Sequence, residues 1–200
     1  MLLIGSQALL FRTGILDRTP KDIDYIATYQ EFEENVEFWK RAGVLKAVYP
    51  VSEKGMVVRT PETIYEYSIA YSGSSEALLL AYAKELNEDV AGLNIQLMLK
   101  LSHRYKKDSP HFLKTMKDIH TLRALGAKVD CPELAAILKV REKETYPYKH
   151  PSLAQGKDAF FVKDESFYVY DHDDIHKAVA VGEKPAYTYF KPEDSEVMVS

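Results

Sequence analysis

The chain has a single cysteine among its 200 residues, so no disulfide can form within it. A reducing compartment is the natural setting for such a chain, which favours the cytoplasm. No run approaches the roughly 18 consecutive apolar residues that a membrane helix needs. The opening Met1–Ile4 is short and lacks the basic lead-in of a signal peptide. The sequence therefore predicts a cytoplasmic protein with no membrane segment, in which Cys131 is a structural thiol.

Several well-marked catalytic signatures are also missing. The sequence has no GxxxxGK[ST] phosphate loop, no GxGxxG dinucleotide fingerprint and no GxSxG nucleophile elbow. His172 and His176 are four residues apart, and His150 lies upstream, but they have no HExxH arrangement and no cysteine partners. A helix face explains this spacing better than a zinc site does, so no zinc site is predicted.

Excess positive charge is lacking as well, because the formal net charge is −4. A general nucleic-acid-binding surface is normally strongly basic, so nucleic acid is a disfavoured partner. Basic residues are nevertheless concentrated in one segment, at Lys100, Arg104, Lys106, Lys107, Lys114 and Lys117. The hydrophobic fraction of 46% is enough for a packed core.

Two short motifs near the start of the chain carry the chemistry. Gly5-Ser6 closes the apolar run Met1–Ile4, and Asp22-Ile23-Asp24 follows. Carboxylates at positions i and i+2 of a strand lie on one face. There they can hold Mg²⁺, which is usually bound by one or two carboxylates plus substrate phosphates. A glycine-serine turn before a helix presents backbone N–H groups to a phosphate. Together the motifs predict metal-dependent chemistry on a nucleoside triphosphate.

Each motif has an ordinary explanation when taken alone. Serine and glycine are frequent at helix starts and turns, so Gly5-Ser6 could simply begin a helix. Exposed carboxylates are also common on the polar side of an edge strand. The combination, in this order and with apolar residues around Asp24, is more specific than either part.

The combined pattern resembles the nucleotidyltransferase superfamily, the fold of DNA polymerase beta and the minimal bacterial nucleotidyltransferases. Its signature is an apolar strand, Gly-Ser, a helix, and then Asp-x-Asp on the next strand. The gap over residues 7–21 is longer than usual, and Gly14 and Pro20 can absorb the difference in a turn. The resemblance implies Mg²⁺ or Mn²⁺ as cofactor and a nucleoside triphosphate such as ATP as substrate. It also implies transfer of a nucleoside monophosphate to an acceptor, with release of pyrophosphate.

The resemblance also assigns roles to individual residues. Asp22 and Asp24 would be metal ligands and catalytic acids, and Gly5 and Ser6 would contact the β- and γ-phosphates. Lys21, next to the first acid, is either a phosphate contact or, more simply, a surface charge.

A third metal-binding and catalytic carboxylate is expected from a later, adjacent strand. Glu66 is the best candidate because it is the lone acid in the segment 63–69. A carboxylate buried there would need a cation or a hydrogen-bond donor. The alternative is a solvent-facing residue that alternates with the neighbouring tyrosines, and Glu62 is the fallback ligand.

The basic segment forms a second candidate site. Lys100, His103, Arg104 and Lys107 fall at helical offsets of three and four, so they share a helix face. We predict that Lys100, His103 and Arg104 contact phosphate or nucleotide; the alternative is a solvated helix face. Similar helices follow the catalytic sheet in some phage and bacterial nucleotidyltransferase-like proteins. Three further residues are predicted on the polar face of the next helix: Asp118, His120 and Arg123.

The predicted fold class is α+β (mixed α/β), a nucleotidyltransferase-like mixed sheet with helices, then a helical segment and a small C-terminal α+β addition. Strands are predicted at 1–5, 22–28, 44–50, 55–60 and 63–71, and helices at 7–13, 32–42, 76–86, from 93, 110–125 and 132–143. Ser6 is predicted to open the first helix and Gly14 to end it, Gly43 to follow the second, and Ser74 or Ser75 to cap the third. The predicted domains are 1–146 and 147–200. The second contains a hairpin over 159–171 and a helix over 173–181, and its end without a stop signal is consistent with a fragment.

The acceptor stays open at this point. A small molecule, a protein or RNA would each fit. A catalytically inactive module that binds nucleotide or a protein partner is an alternative function. An enzyme that extends RNA 3′ ends is another; the basic segment favours it and the overall acidity disfavours it.

Overall fold

Five strands and six helices make up the part of the chain that the computed structural model describes, residues 1–14, 16, 19–103 and 112–145. The strands are β1 Leu2–Ile4, β2 Asp22–Ala27, β3 Ala47–Pro50, β4 Gly55–Arg59 and β5 Ile64–Ile69. The helices are α1 Gly5–Thr13, α2 Tyr29–Arg41, α3 Ser75–Glu85, α4 Leu93–Leu101, α5 Phe112–Ala124 and α6 Pro132–Thr145. The predicted α+β class is confirmed.

The chain divides into two units. The first comprises Met1–Gln96 with Val129–Ile137, and the second comprises Leu97–Lys128 with Leu138–Ser200. The predicted domain boundary near residue 147 lies outside the described residues, as do the predicted C-terminal hairpin and helix, so these stay predictions. None of the described helices is both long and apolar enough to cross a membrane.

The first unit contains a mixed sheet with the strand order β1-β2-β5-β4-β3. β1 is antiparallel to β2, β2 is parallel to β5, and β5, β4 and β3 pair antiparallel in turn. β2 therefore lies between the strand that precedes the Gly5-Ser6 turn and the strand that carries Glu66. This arrangement brings the two sequence motifs and the predicted third acid to one region of the sheet.

One face of the sheet packs against α2 through aromatic side chains. Trp39 stacks on Tyr65 with ring centroids 5.0 Å apart, and Phe32 meets Tyr67 edge-on at 5.2 Å. Tyr25 stacks on Tyr67 at 5.6 Å. Alternation along a strand places every second residue on the same face. The tyrosines of β2 and β5 therefore fill this core, while the intervening acids point to the other side.

Burial in this core gives a testable pH dependence. Burial raises the pKa of Tyr67 from 10.0 to about 12, and the neighbouring Tyr25 and Tyr65 add to the effect. The unfolded chain loses this proton at lower pH than the folded chain does. The protonated Tyr67 phenol therefore makes its full contribution to the unfolding free energy below about pH 10. This contribution is lost as the pH rises toward about 12. We expect Tyr67→Phe to reduce the fall of the unfolding free energy across this window, measured by urea denaturation.

The matched control for that measurement is Tyr71→Phe, because the Tyr71 side chain is 47% exposed. It should keep the alkaline dependence of the wild type. If the unfolding free energy of the wild type and of Tyr67→Phe falls equally with pH, the Tyr67 phenol does not contribute to this pH dependence.

The first helix begins two residues earlier than its sequence predicts. Ile4 is the N-cap of α1 and makes no side-chain capping bond, so Ser6 lies inside the first turn and is 2% exposed. The prediction that Ser6 opens the helix was therefore wrong by two positions. The predicted stop is confirmed, because Gly14 adopts φ +64° and its N–H bonds to the Leu10 carbonyl. Ser74, one of two predicted caps, caps α3 by accepting from the Ala77 N–H at 3.2 Å.

In the second unit, polar contacts connect the ends of α4 and α6. Arg141 Nε donates to Ser102 Oγ at 3.2 Å, and the Thr145 hydroxyl donates to the Ser102 carbonyl at 2.9 Å. Asp118, predicted on a polar face, is in fact 2% exposed. The prediction was wrong because Asp118 is buried in an ion pair with Lys100, whose side chain belongs to the preceding helix.

The single cysteine lies at the start of α6. The Leu134 N–H donates to Cys131 Sγ at 3.4 Å, and the Tyr82 hydroxyl is 3.3 Å from the same sulfur. The hydrogen bond with Cys131 and burial raise the pKa of Tyr82 to about 12. These contacts hold the Cys131 side chain at the start of α6, and a structural role for the thiol stays a prediction.

Candidate functional site

The site predicted from the sequence lies on the side of the sheet opposite α2. Asp22 and Asp24 share this side because they are two residues apart in β2. Asp24 is paired in register with Ile4 of β1 and with Glu66 of β5. Paired residues on neighbouring strands point to the same side, so Asp24 and Glu66 are lateral neighbours. We call this side of the sheet, defined by Asp22, Asp24 and Glu66, the acid face.

Gly5 lies directly against one of these acids. A Cβ atom at Gly5 would be 2.0 Å from Asp24 Oδ2, so the carboxylate occupies the space that a side chain would need. Gly5 also adopts φ +71°, a conformation that residues with a side chain rarely take. The turn from the first motif and the second acid of the other motif are therefore in contact, at the first residue of α1.

The acid face is covered at one end and open at the other. Leu2 and Ile26, which pair with each other, are both fully buried. Asp22 and Asp24 are half-buried, and Glu66 is exposed. Asp22 and Asp24 are therefore partly shielded from water, and this shielding strengthens their electrostatic interactions compared with those of fully solvated carboxylates. Both remain accessible to a ligand.

The start of α1 can add donors to this region. The first N–H groups of a helix have no partner within the helix, and the helix dipole favours an anion there. The first turn of α1 contains no acidic residue. Ser6 is buried, so its backbone rather than an exposed hydroxyl is the group that the helix start presents to a ligand.

The acids fit a hard divalent cation held by two carboxylates. Mg²⁺ prefers oxygen ligands and usually takes only one or two from the protein, the others coming from water and phosphate. Asp22 and Asp24 supply that number from one face of one strand. Across the described ranges, no group of three or more His, Cys, Asp or Glu side chains is arranged to hold a metal ion. Glu66 as a third ligand stays a prediction.

The predicted phosphate contacts of the basic segment belong to the second unit. Lys100 Nζ is 2.8 Å from Asp118 Oδ2, with only 17% of the lysine side chain exposed. His103 is half-buried just beyond α4, and its N–H bonds to the Lys100 carbonyl. Arg104 lies outside the described residues. The ion pair gives Lys100 a structural role, and nucleotide contact by Lys100, His103 and Arg104 stays a prediction. Lys21 is exposed before β2, as expected of a surface charge.

Two residues on the acid face were missed from the sequence. The strand register places Tyr49 in the row of Asp24 and Glu66, and Arg59 in the row of Asp22. Arg59 Nε donates to the Tyr49 hydroxyl at 2.8 Å, and the guanidinium carbon is 5.6 Å from the Tyr49 ring centroid. Alternation within β4 and β3 was visible in the sequence. The pairing of β4 with β5 and of β3 with β4, which decides the face on which each residue lies, was not.

Comparison with known families covers most of the chain. The family model described as "Domain of unknown function (DUF7275)" matches residues 95–200, more than half of the chain. The chain belongs to this family. A second model, "Domain of unknown function (DUF7277)", matches residues 1–83, which include the whole acid face and the Gly5 turn. A search of curated proteins found no match.

Proposed function

We propose that the protein is a metal-dependent nucleotidyltransferase, which transfers a nucleoside monophosphate from a nucleoside triphosphate to an acceptor and releases pyrophosphate. One observation carries the proposal: the Asp24 carboxylate is packed against the Gly5 backbone at the start of α1. This contact joins a metal ligand to a phosphate-binding turn, and these are the two components that such a reaction requires.

The residues of the acid face have different roles in the proposed reaction. Asp22 and Asp24 hold Mg²⁺ or Mn²⁺, which when bound neutralises the triphosphate and orients its α-phosphorus. The backbone at Gly5 and the start of α1 bind the β- and γ-phosphates. Glu66, beside Asp24, accepts the proton of the attacking hydroxyl. The hydroxyl oxygen forms a bond to the α-phosphorus while the bond from that phosphorus to the bridging oxygen breaks, and pyrophosphate leaves.

Most of the rate acceleration comes from positioning and charge stabilisation. The covalent change is simple, and the reacting groups must be held in line with their charge compensated. A sheet is well suited to this task because its strands fix the backbone of each acid. The half-burial of Asp22 and Asp24 reduces solvent screening of the charges that they meet.

Replacement of the acids tests this function. We expect Asp22→Asn and Asp24→Asn each to reduce the rate of pyrophosphate release by at least about 100-fold, since each removes charge from the cation site. The assay uses ATP, GTP, CTP or UTP with Mg²⁺ or Mn²⁺, and a low-molecular-mass cell extract as the source of acceptors.

Asp130→Asn is the matched control, because it makes the same chemical change at an exposed position before α6 and should retain the wild-type rate. Metal-dependent nucleotide binding that requires Asp24 without any pyrophosphate release would contradict transfer. That outcome would indicate a module that binds nucleotide without turning it over.

A further inference from the structure

The acid face continues beyond the acids to an exposed basic residue. From β1 to β3, one side of the sheet carries the Gly5 turn, then Asp24, then Glu66, and finally the pair of Arg59 and Tyr49. Neighbouring strands are about 4.8 Å apart, so β4 lies about 10 Å from β2. An arginine side chain on β4 is therefore close enough to bind one end of a small molecule whose other end reaches the acids.

Arg59 is held in a defined position rather than left as a mobile surface charge. Tyr49 accepts a hydrogen bond from Nε and places its ring against the guanidinium group. Within the described residues, no other group makes a hydrogen bond with the Arg59 side chain. This contact uses one edge of the guanidinium fork, and the two terminal amino groups are the donors that suit a planar bidentate contact with an oxyanion. Arg59 is exposed and Tyr49 is half-buried, so the ring is the fixed part and the charge is accessible.

The geometry of the reaction indicates which ligand reaches this arginine. In nucleotidyl transfer the attacking and leaving oxygens are in line on opposite sides of the α-phosphorus. The leaving phosphates lie toward Gly5 and the start of α1, at the β1 side of Asp24. The attacking group therefore approaches from the opposite side, over β5 and β4, where Arg59 lies.

We propose that Arg59, positioned by Tyr49, binds an oxyanionic group of a small acceptor molecule whose hydroxyl attacks the nucleotide. This inference rests on the proposed function and narrows the acceptor to a class, small hydroxyl compounds that carry a phosphate monoester or a carboxylate. A long polyanion such as RNA fits less well, because three carboxylates share this face and the net charge of the chain is −4. Sugar phosphates and sugar acids have the required size and both required groups.

Binding to the 200-residue chain tests the proposal directly. Glucose 6-phosphate, glucuronate and glucose are titrated separately by calorimetry, in the presence of Mg²⁺ and a non-hydrolysable ATP analogue. These three probes share a sugar ring and differ in carrying a phosphate, a carboxylate or no charge. We expect at least one anionic probe to bind and glucose to bind at least about tenfold more weakly.

Variants then test whether the affinity for the anionic probes depends on Arg59 and Tyr49. Arg59→Gln is expected to weaken anionic binding by roughly 10- to 100-fold, since a charge-assisted bidentate contact is lost. Arg59→Lys should recover only part of it, because a lysine keeps the charge but not the fork. Tyr49→Phe keeps the ring and removes the hydrogen bond, so a smaller loss is expected. Arg41→Gln, at an exposed position on α2, should match the wild type.

The outcomes separate this inference from the proposed function. If anionic probes bind through Arg59 and no pyrophosphate is released, the anion site stands and the transferase function fails. If transfer depends on Asp24 but Arg59→Gln binds and turns over like Arg41→Gln, the inference is overturned and the function stands. Glucose that binds as tightly as both glucose 6-phosphate and glucuronate also overturns it. An RNA oligonucleotide that binds more tightly than either anionic sugar, with a steep salt dependence, overturns the small-molecule class.

Discussion

Gly5→Ala is expected to disable the site and to destabilise the fold at the same time. The φ of +71° penalises any side chain, by about 1–2 kcal/mol for a residue forced into the left-handed region. The added methyl group would also lie 2.0 Å from Asp24 Oδ2, so the carboxylate has to move away. A displacement of about 1 Å in a positioned group can cost about 100-fold in rate. We therefore expect a loss of that order in Asp24-dependent pyrophosphate release.

Gly14→Ala separates the two causes. Gly14 also has a positive φ, +64°, but among the described residues, its chain neighbours and the helix backbone aside, no atom lies within 4 Å of the position that its Cβ would take. This variant should show a similar backbone penalty in urea denaturation and keep the wild-type rate of pyrophosphate release. If both glycine variants have the same rate, the contact between Gly5 and Asp24 has no functional consequence.

Lys100→Met is expected to have the largest effect on stability. Asp118 is 2% exposed and its carboxylate is 2.8 Å from Lys100 Nζ. Removal of one partner from a buried ion pair leaves a charge with less compensation, at a cost of up to about 3–5 kcal/mol. Methionine keeps most of the apolar stem, so the loss reports on charge rather than on packing. The measurement is the unfolding free energy from urea denaturation.

An exposed ion pair provides the control. Lys40 and Glu37 are 3.3 Å apart with side chains 67% and 50% exposed, so Lys40→Met should cost less than about 1 kcal/mol. The double replacement Lys100→Met with Asp118→Leu should recover much of the stability, since neither position of this pair then carries a charge. If Lys100→Met leaves stability unchanged and weakens nucleotide binding, the phosphate contact predicted from the sequence is correct and the structural role is not.

Local patterns in the sequence were sufficient to predict the elements of the first unit. Alternation predicted β2 and β5, and glycines at the predicted positions end α1 and follow α2. The proximity of Gly5 to Asp24 was also predictable, because an apolar strand, a turn and an acidic strand form an ordered motif. What the motif could not supply was the close contact between the carboxylate and the glycine, which depends on the antiparallel register of β1 and β2.

The remaining differences arise from contacts between residues that are distant in sequence. Asp118 was predicted to be a surface residue because charged residues usually lie on the polar face of a helix. Helical periodicity does not show that a buried carboxylate has a partner on another helix, here Lys100. Arg59 and Tyr49 looked unremarkable for the same reason. Their face is fixed only when β4 pairs with β5 and β3 pairs with β4. Strand order across a mixed sheet is a property of the whole unit.

The parallel pairing of β2 with β5 also bears on how the molecule is made. A parallel ladder cannot close through a tight hairpin, and here residues 28–63 connect the two strands. During synthesis β2 leaves the ribosome before β5, so β2 can first pair only with β1. Its other edge stays unpaired until β5 has been made. The strands β3, β4 and β5 follow one another closely in the chain and pair in that order. Pairing of β2 with β5 instead requires a long loop to close. Glu66 is therefore separated from Asp22 and Asp24 on the nascent chain until this loop closes.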